Sequence, residues 1–243
     1  MQSEPSRNLV VFDIDGTILD SRDLILAAHQ IAFSAHGLAV PASTTILPLV
    51  GLSHAELFRE LVGAAGPIES LTREYKAAAR RMRAAGHPRE ALFPGAAEVV
   101  QRLAARPDCA LGIATGKSSA SLRDFLALHG WRSCFETMHT SDDAPSKPDP
   151  AMILRSMADA GVPPRRTLMV GDSILDMSMA KAAGVMAVGV RWGNSAPDAL
   201  HGAGADVLIA DFSELDGLIA RNALGQGFSE GAVPQCTNAR AST

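Results

Sequence analysis

Cysteine is scarce in this chain. Cys109, Cys134 and Cys236 are the three present among 243 residues, and no two form a CxxC pair. An odd number at that spacing supports neither a disulfide framework nor a zinc site. Reduced thiols in a cytoplasm are therefore the expectation. Long apolar runs are missing too: nothing approaches the roughly 18 residues of a membrane span. The opening MQSEPSRNLVVFD has no extended apolar stretch before its first strand-like residues, so neither a leader nor membrane contact is expected. Charge of one sign is lacking as well. The net charge is −4 and no segment is strongly basic, so nucleic acid is not an expected partner. The one dense basic patch, Arg80-Arg81-Met82-Arg83, is flanked by alanines in a helical pattern and reads as a solvated helix face. No internal repeat is evident.

What remains is an ordinary globular composition. Apolar residues make up 47% and charged residues 20%, enough for a sizeable core in one domain with an insertion or in two modest domains. Residues 8–12 (NLVVF) predict a buried strand that stops abruptly at Asp13. From Asp20 to about Arg89 helical signals follow one another with no convincing strand. Leu24, Ala28, Ile31, Ala32 and Ala35 recur at helical spacing, and Gly37 marks a stop. Ser53-His54-Ala55-Glu56 has the pattern of a capping box, opening a helix that Gly63 ends. A third helix is expected over about 68–85.

Pro94-Gly95 marks a return, after which strands and helices alternate. Strands are predicted at 110–115, 135–140, 167–171, 185–190 and 206–210. Helices are predicted at 119–129, 149–160, 174–183 and 213–221. This alternation implies an α/β fold: a Rossmann-like parallel sheet covered by helices on both faces, with an inserted all-helical cap. The expected core is 8–19 with 91–221, the cap is 20–90, and 222–243 reads as a frayed tail.

Four polar clusters sit where ligands collect in such sheets, near the C-terminal ends of strands. The first is Asp13-Ile14-Asp15-Gly16-Thr17. Two carboxylates this close suit phosphoryl chemistry, one as nucleophile and the other moving protons. The second is Thr115-Gly116-Lys117, whose hydroxyl and flexible backbone suit a phosphate oxygen but which alone reads more simply as a turn. The third is Lys147, held between Ser146 and the prolines Pro148 and Pro150. Alone it reads as a surface lysine. The fourth is Gly171-Asp172-Ser173-Ile174-Leu175-Asp176. Carboxylates crowded at a sheet end repel unless a cation is present, and magnesium prefers a few carboxylates with waters and phosphate oxygens. Singly, Asp172 and Asp176 read equally well as helix-capping acids.

Taken in order, DxDGT, Thr, Lys-Pro and GDxxxD along this alternation resemble the haloacid dehalogenase superfamily, over about residues 8–221. The helical insertion after the first motif resembles the small cap of its phosphoglycolate phosphatase-like subgroup. The resemblance implies a magnesium-dependent phosphatase acting on a small phosphorylated metabolite. It implies Asp13 as nucleophile and metal ligand. It implies Asp15 as general acid/base, with its backbone carbonyl on the metal. Thr115, with Gly116, would bind phosphate, and Lys147 would steady both nucleophile and phosphate. Asp172 would ligate Mg²⁺, and Asp176 would act on the metal site from behind a ligand or through water. The cap loop Gly51-Leu52-Ser53-His54 is as readily a helix start as a place where Ser53 and His54 meet the substrate. A phosphomutase of the β-phosphoglucomutase type shares all four motifs. Such enzymes usually carry Val at the position of Thr17 and a cap Arg near that of His54, which favours hydrolysis. Met177 and Met179 read as packing residues, and Trp192 as structural, with Arg191 beside it near the expected site mouth. Oligomeric state is not legible in the sequence.

Overall fold

A computed structural model describes residues 7–86 and 90–223. Of the tail expected over 222–243, residues 224–243 lie outside the described residues, as do 87–89 at the end of the expected cap. In chain order the elements begin with β1 (Asn8–Phe12) and β2 (Leu19–Asp20). There follow α1 (Arg22–Ala35), α2 (Ser43–Ile46), α3 (His54–Val62) and α4 (Ile68–Ala85). Next come β3 (Ala91–Leu92), α5 (Ala96–Ala104), β4 (Cys109–Thr115), α6 (Ser119–His129) and β5 (Thr137–Thr140). The chain continues through α7 (Ala151–Ala160), β6 (Thr167–Gly171), α8 (Ile174–Ala182), β7 (Met186–Val190), α9 (Pro197–Gly202), β8 (Val207–Ile209) and α10 (Leu215–Ala223).

Six of the strands form one parallel sheet in the order β5-β4-β1-β6-β7-β8. Strand β1 shows why its sequence is apolar from Leu9 to Phe12. Val10 and Phe12 join the cluster with α5, α6 and α10 on one face, while Leu9 and Val11 join Met152, Met157, Met177 and Met179 on the other. Side chains that alternate between two covered faces leave no polar position along that stretch. Met177 and Met179 are fully buried, as packing residues should be.

Between β2 and β3 the described residues are helical or loop. Leu24, Phe33, Phe58, Leu71 and Tyr75 give these helices a core of their own. Ile31, expected on the buried stripe of α1, instead faces solvent: the stripe follows Leu24, Ala28 and Ala32, and Ile31 lies off it. The insertion's two ends are stitched by an antiparallel pair, Leu19 opposite Leu92 and Asp20 opposite Ala91. Two-residue strands carry no readable period, which is why the sequence showed none there. Helices α5 and α9 were also not foreseen. The predicted 213–221 helix starts as a single 3₁₀ turn at Phe212–Glu214 and becomes α-helical at Leu215. Among the described residues, no helix is long and apolar enough to cross a membrane.

Candidate active site

The parallel sheet brings the four clusters to one end. Asp13 directly follows β1, Thr115 ends β4, and Asp172 follows β6. Past Phe12 the chain leaves the sheet, although Asp13 N still donates to Val170 O at 3.0 Å. Beyond it Gly16 takes a φ of +80°. A Cβ there would lie 2.2 Å from Asp172 Oδ2, so position 16 requires glycine for both conformation and space. The turn separates the two acids of the first motif. Asp13 faces the fourth cluster, and Asp15 faces the cap.

Around Asp13, single carboxylate oxygens of Asp13, Asp172 and Asp176 all lie within 4.8 Å of one another, and all three residues are buried. Lys147 is buried among them. Its Nζ donates to Asp176 Oδ1 at 2.6 Å and lies 2.9 Å from Asp13 Oδ1. The contact to Asp13 is close without being aligned, so that oxygen is buried with no hydrogen bond of its own. Asp176 serves two purposes. Its Oδ2 accepts from Ser173 N and Ser173 Oγ in a capping box that starts α8, while Oδ1 takes Lys147. Asp172 accepts from Asn194 N at 2.8 Å and, more weakly, from Thr17 Oγ1 at 3.3 Å. Trp192 is structural, as expected: its Nε1 donates to Thr17 O, and its ring packs on Phe93 and Phe212.

The electrostatics of this cluster call for a cation. Burial pushes the Asp13 carboxyl up to about 7, aided by Asp176 and Asp15 and opposed by Lys147. Burial and the charges of Asp176 and Asp13 push Asp172 up to about 8. Burial opposes the charge of Lys147, but Asp13 and Asp176 outweigh it and move its pKa up. Three hard oxygen donors, one of them without an aligned partner, suit a small divalent ion that keeps water and phosphate in its remaining positions. The residues present therefore fit such an ion, with Asp13 and Asp172 as its carboxylate ligands and Asp176 beside them.

Asp15 has a different environment. Its Oδ1 accepts from Ser21 Oγ at 2.5 Å and lies 2.7 Å from Lys117 Nζ. Burial alone would raise its pKa, but Lys117 and Ser21 outweigh that and hold it below the usual carboxylate value. Asp13, Asp15, Gly116 and Lys117 form one side of a small pocket of about 30 Å³. The insertion forms the other side through Ile25, Leu52, His54 and Tyr75. Gly116 is where the two parts press together: a Cβ there would stand 2.6 Å from Gly51 O and 2.8 Å from Leu52 O. Ser53 N also donates across the gap to Ser146 Oγ at 2.7 Å, next to Lys147.

The cap loop thus divides its tasks. The Ser53 hydroxyl caps α3, accepting from Glu56 N and donating to Glu56 Oε2, whereas His54 lines the pocket against Tyr75. Burial, reinforced by Lys76, pushes the His54 imidazole down to about 4. Thr115 is buried, its Oγ1 accepting from Lys117 N at 3.3 Å. Sequence reasoning assigned no role to Lys117, Ser21 or Tyr75. Lys117 belonged to the cluster singled out at the end of β4, but only the hydroxyl and backbone there were given a use, and its partner Asp15 lies about a hundred positions earlier.

Comparison with known proteins now adds to this geometry. Residues 10–190 match the family described as Haloacid dehalogenase-like hydrolase. The chain belongs to that family. The protein named "Probable phosphatase IndB" from Dickeya dadantii is 33% identical over 213 residues, covering 86% of this chain and 92% of that one. A phosphoglycolate phosphatase from Xylella fastidiosa is 31% identical over 205 residues, covering 79% and 85%. Among solved structures, a hydrolase from Pseudomonas syringae superposes with a TM-score of 0.77 at 26% identity, covering 87% of this chain and 97% of its own.

Proposed function

We propose that this hydrolase is a magnesium-dependent phosphatase of small phosphorylated metabolites, working through a phosphoryl group carried on Asp13. The observation that carries the reading is the division of labour between Asp13 and Asp15. Two acids two residues apart occupy separate electrostatic settings, one in a buried carboxylate cluster fit for a cation and one lining a pocket beside a lysine. A bound divalent ion would screen the phosphoryl oxygens and reverse the upward shift of its own carboxylate ligands.

The residues then divide the reaction. Lys147, placed between Asp13 and Asp176, offsets the repulsion between a phosphate dianion and the attacking Asp13. Gly116, just past the end of β4, lines the pocket and Thr115 is buried beside it; in this reading the two hold the phosphoryl oxygens. Asp13 attacks phosphorus as the ester P–O bond breaks, and Asp15 gives a proton to the departing oxygen. The substrate's own negative charge beside Asp15 raises that carboxyl's proton affinity for the first step. In the second step water attacks the aspartyl phosphate, Asp15 takes its proton, and Asp13 is released. His54 and Tyr75 face the leaving group from the cap side and exclude bulk water.

The experiment is a screen of phosphorylated metabolites, including phosphoglycolate and sugar phosphates, with and without Mg²⁺. Magnesium-dependent release of inorganic phosphate supports the reading. An isomeric sugar phosphate in its place would mark the phosphomutase alternative, and no turnover of any ester would contradict both.

A further inference from the structure

We infer that the cavity at the amino end of the sheet is a thiol–disulfide exchange site. Cys134 there reacts with a small anionic disulfide, and Cys109 then closes a reversible disulfide with it. The inference does not rest on the phosphatase reading, because the site lies at the end of β4 opposite Thr115.

Three observations carry it. First, one cavity of about 320 Å³ is lined by both thiols, together with Arg7, Arg106, Ser133 and Glu136. Second, the two cysteines occupy neighbouring stretches on one face of the sheet. Cys109 opens β4, and Cys134 lies in the turn that leads into β5, its N donating to Trp131 O at 3.0 Å. The two strands pair in parallel with Gly112 opposite Thr137, and Glu136 N extends the pairing by donating to Leu111 O at 2.8 Å. Counted back at the same offset, position 134 falls beside position 109. Both side chains pack into the cluster that holds Leu111 and Ile113. Neighbouring strands run about 4.8 Å apart, inside the Cα spacing of roughly 4.4–6.8 Å that a disulfide bridges. Third, the lining carries two guanidiniums against one carboxylate. Arg7 pairs with Glu136 at 2.6 Å, yet its Nε is buried with no hydrogen-bond partner. A carboxylate on the incoming molecule fits that spare donor.

Exposure sets the order of events. Cys134 is half-buried and Cys109 buried, and burial pushes the Cys109 thiol up to about 11 against the pull of Arg106 and Arg7. Exchange needs a thiolate and access to it. Cys134 therefore attacks first. Its sulfur bonds to one sulfur of the incoming disulfide, whose S–S bond breaks and releases one small thiol. Cys109 then gives up its proton and attacks the Cys134 sulfur, releasing the second small thiol. The incoming disulfide is reduced to two thiols, and the protein is oxidised by the loss of two hydrogens. Where small thiols are plentiful the same exchange runs backwards and the bond is transient.

The test uses glutathione disulfide, which is anionic, and cystamine, a small disulfide of opposite charge. Cys236 is a third thiol outside the described residues, so every protein tested carries Cys236→Ser. Intact mass and peptide mapping follow the reduced protein after each disulfide is added. With Cys109 and Cys134 both present, the expected product has lost two hydrogens, carries no adduct and links the two cysteine peptides. Cys109→Ser should stop at a glutathione adduct on Cys134, and Cys134→Ser should stay largely unmodified. Each rate is divided by that disulfide's rate with a free model thiol. On that scale glutathione disulfide should react about 10-fold or more faster than cystamine, the low end of the attraction a charged cleft exerts, and Arg7→Gln should shrink the ratio. A glutathione adduct that persists on Cys134 with Cys109 present would overturn the inference, as would no reaction at either thiol. Equal scaled rates for the two disulfides would overturn the assignment of an anionic partner.

Discussion

Burial beside Asp176 gives Asp13 and Asp172 a cost that the chain's exposed acids do not bear. Each keeps its proton to a higher pH than a free carboxyl, to about 7 and about 8. A group whose pKa is raised by folding contributes stability below its unfolded value and loses it as pH climbs through the folded value. The metal-free protein should therefore lose thermal stability progressively from about pH 4, where the unfolded acids ionise, up to about pH 8, and level off above it. Magnesium should restore that stability by taking the place of the protons. In Asp172→Asn both the loss and the magnesium rescue should shrink. Melting curves in chelator and in Mg²⁺ across this range check the prediction; a magnesium effect unchanged in the variant would contradict it. At this scale the acids and Lys147 were legible in the sequence because their spacing within short motifs survives without the fold. Lys117, Ser21 and Tyr75 were not, because their roles depend on neighbours brought together by tertiary contacts: Lys117 meets Asp15 only when β4 lies beside β1.

Among the elements, the tightest join is between the loop after β4 and the loop before α3. Gly116 leaves no room for a side chain beneath the carbonyls of Gly51 and Leu52. Gly116→Ala should push the cap loop outward, with His54 following it away from the pocket. We predict a fall in kcat/KM of roughly 10- to 100-fold, the usual penalty for misplacing a substrate-facing group by about 1 Å. The fold should persist, because the clash falls on a loop rather than in either core. Steady-state kinetics with a thermal melt check this, and wild-type kcat/KM would contradict it. Element by element, β1, β6 and α6 follow their sequence patterns to the residue, since unbroken apolar runs and a closing Gly130 are strong local signals. The β2–β3 pair and α9 fall below the length at which a period can be read. Arg83 shows how a surface-like pattern conceals a contact. Read as part of a solvated face, it pairs with Glu90 through two nitrogens and donates to Ser121 on α6, tying the last cap helix to the core.

Over the whole molecule, one parallel sheet gathers the acids and Lys147 at one end, and one helical insertion supplies the facing wall. The two meet at the pocket, and on the proposed reading the sheet carries the chemistry while the insertion meets the leaving group. The alternation of strands and helices made the sheet legible after Pro94-Gly95, from the strand predicted at 110–115 onward. The position of the cap over it was not legible, because it depends on contacts such as Ser53 N to Ser146 Oγ that no periodicity encodes. The central claim is that Asp13 carries the phosphoryl group. It is tested most directly by magnesium-dependent phosphate release from wild type and from Asp13→Asn, with melting temperatures recorded in parallel. The account predicts turnover in wild type and a loss of at least about 1,000-fold in the variant, as for removal of a covalent nucleophile, with the fold retained. Turnover by a folded Asp13→Asn protein near the wild-type rate would contradict it.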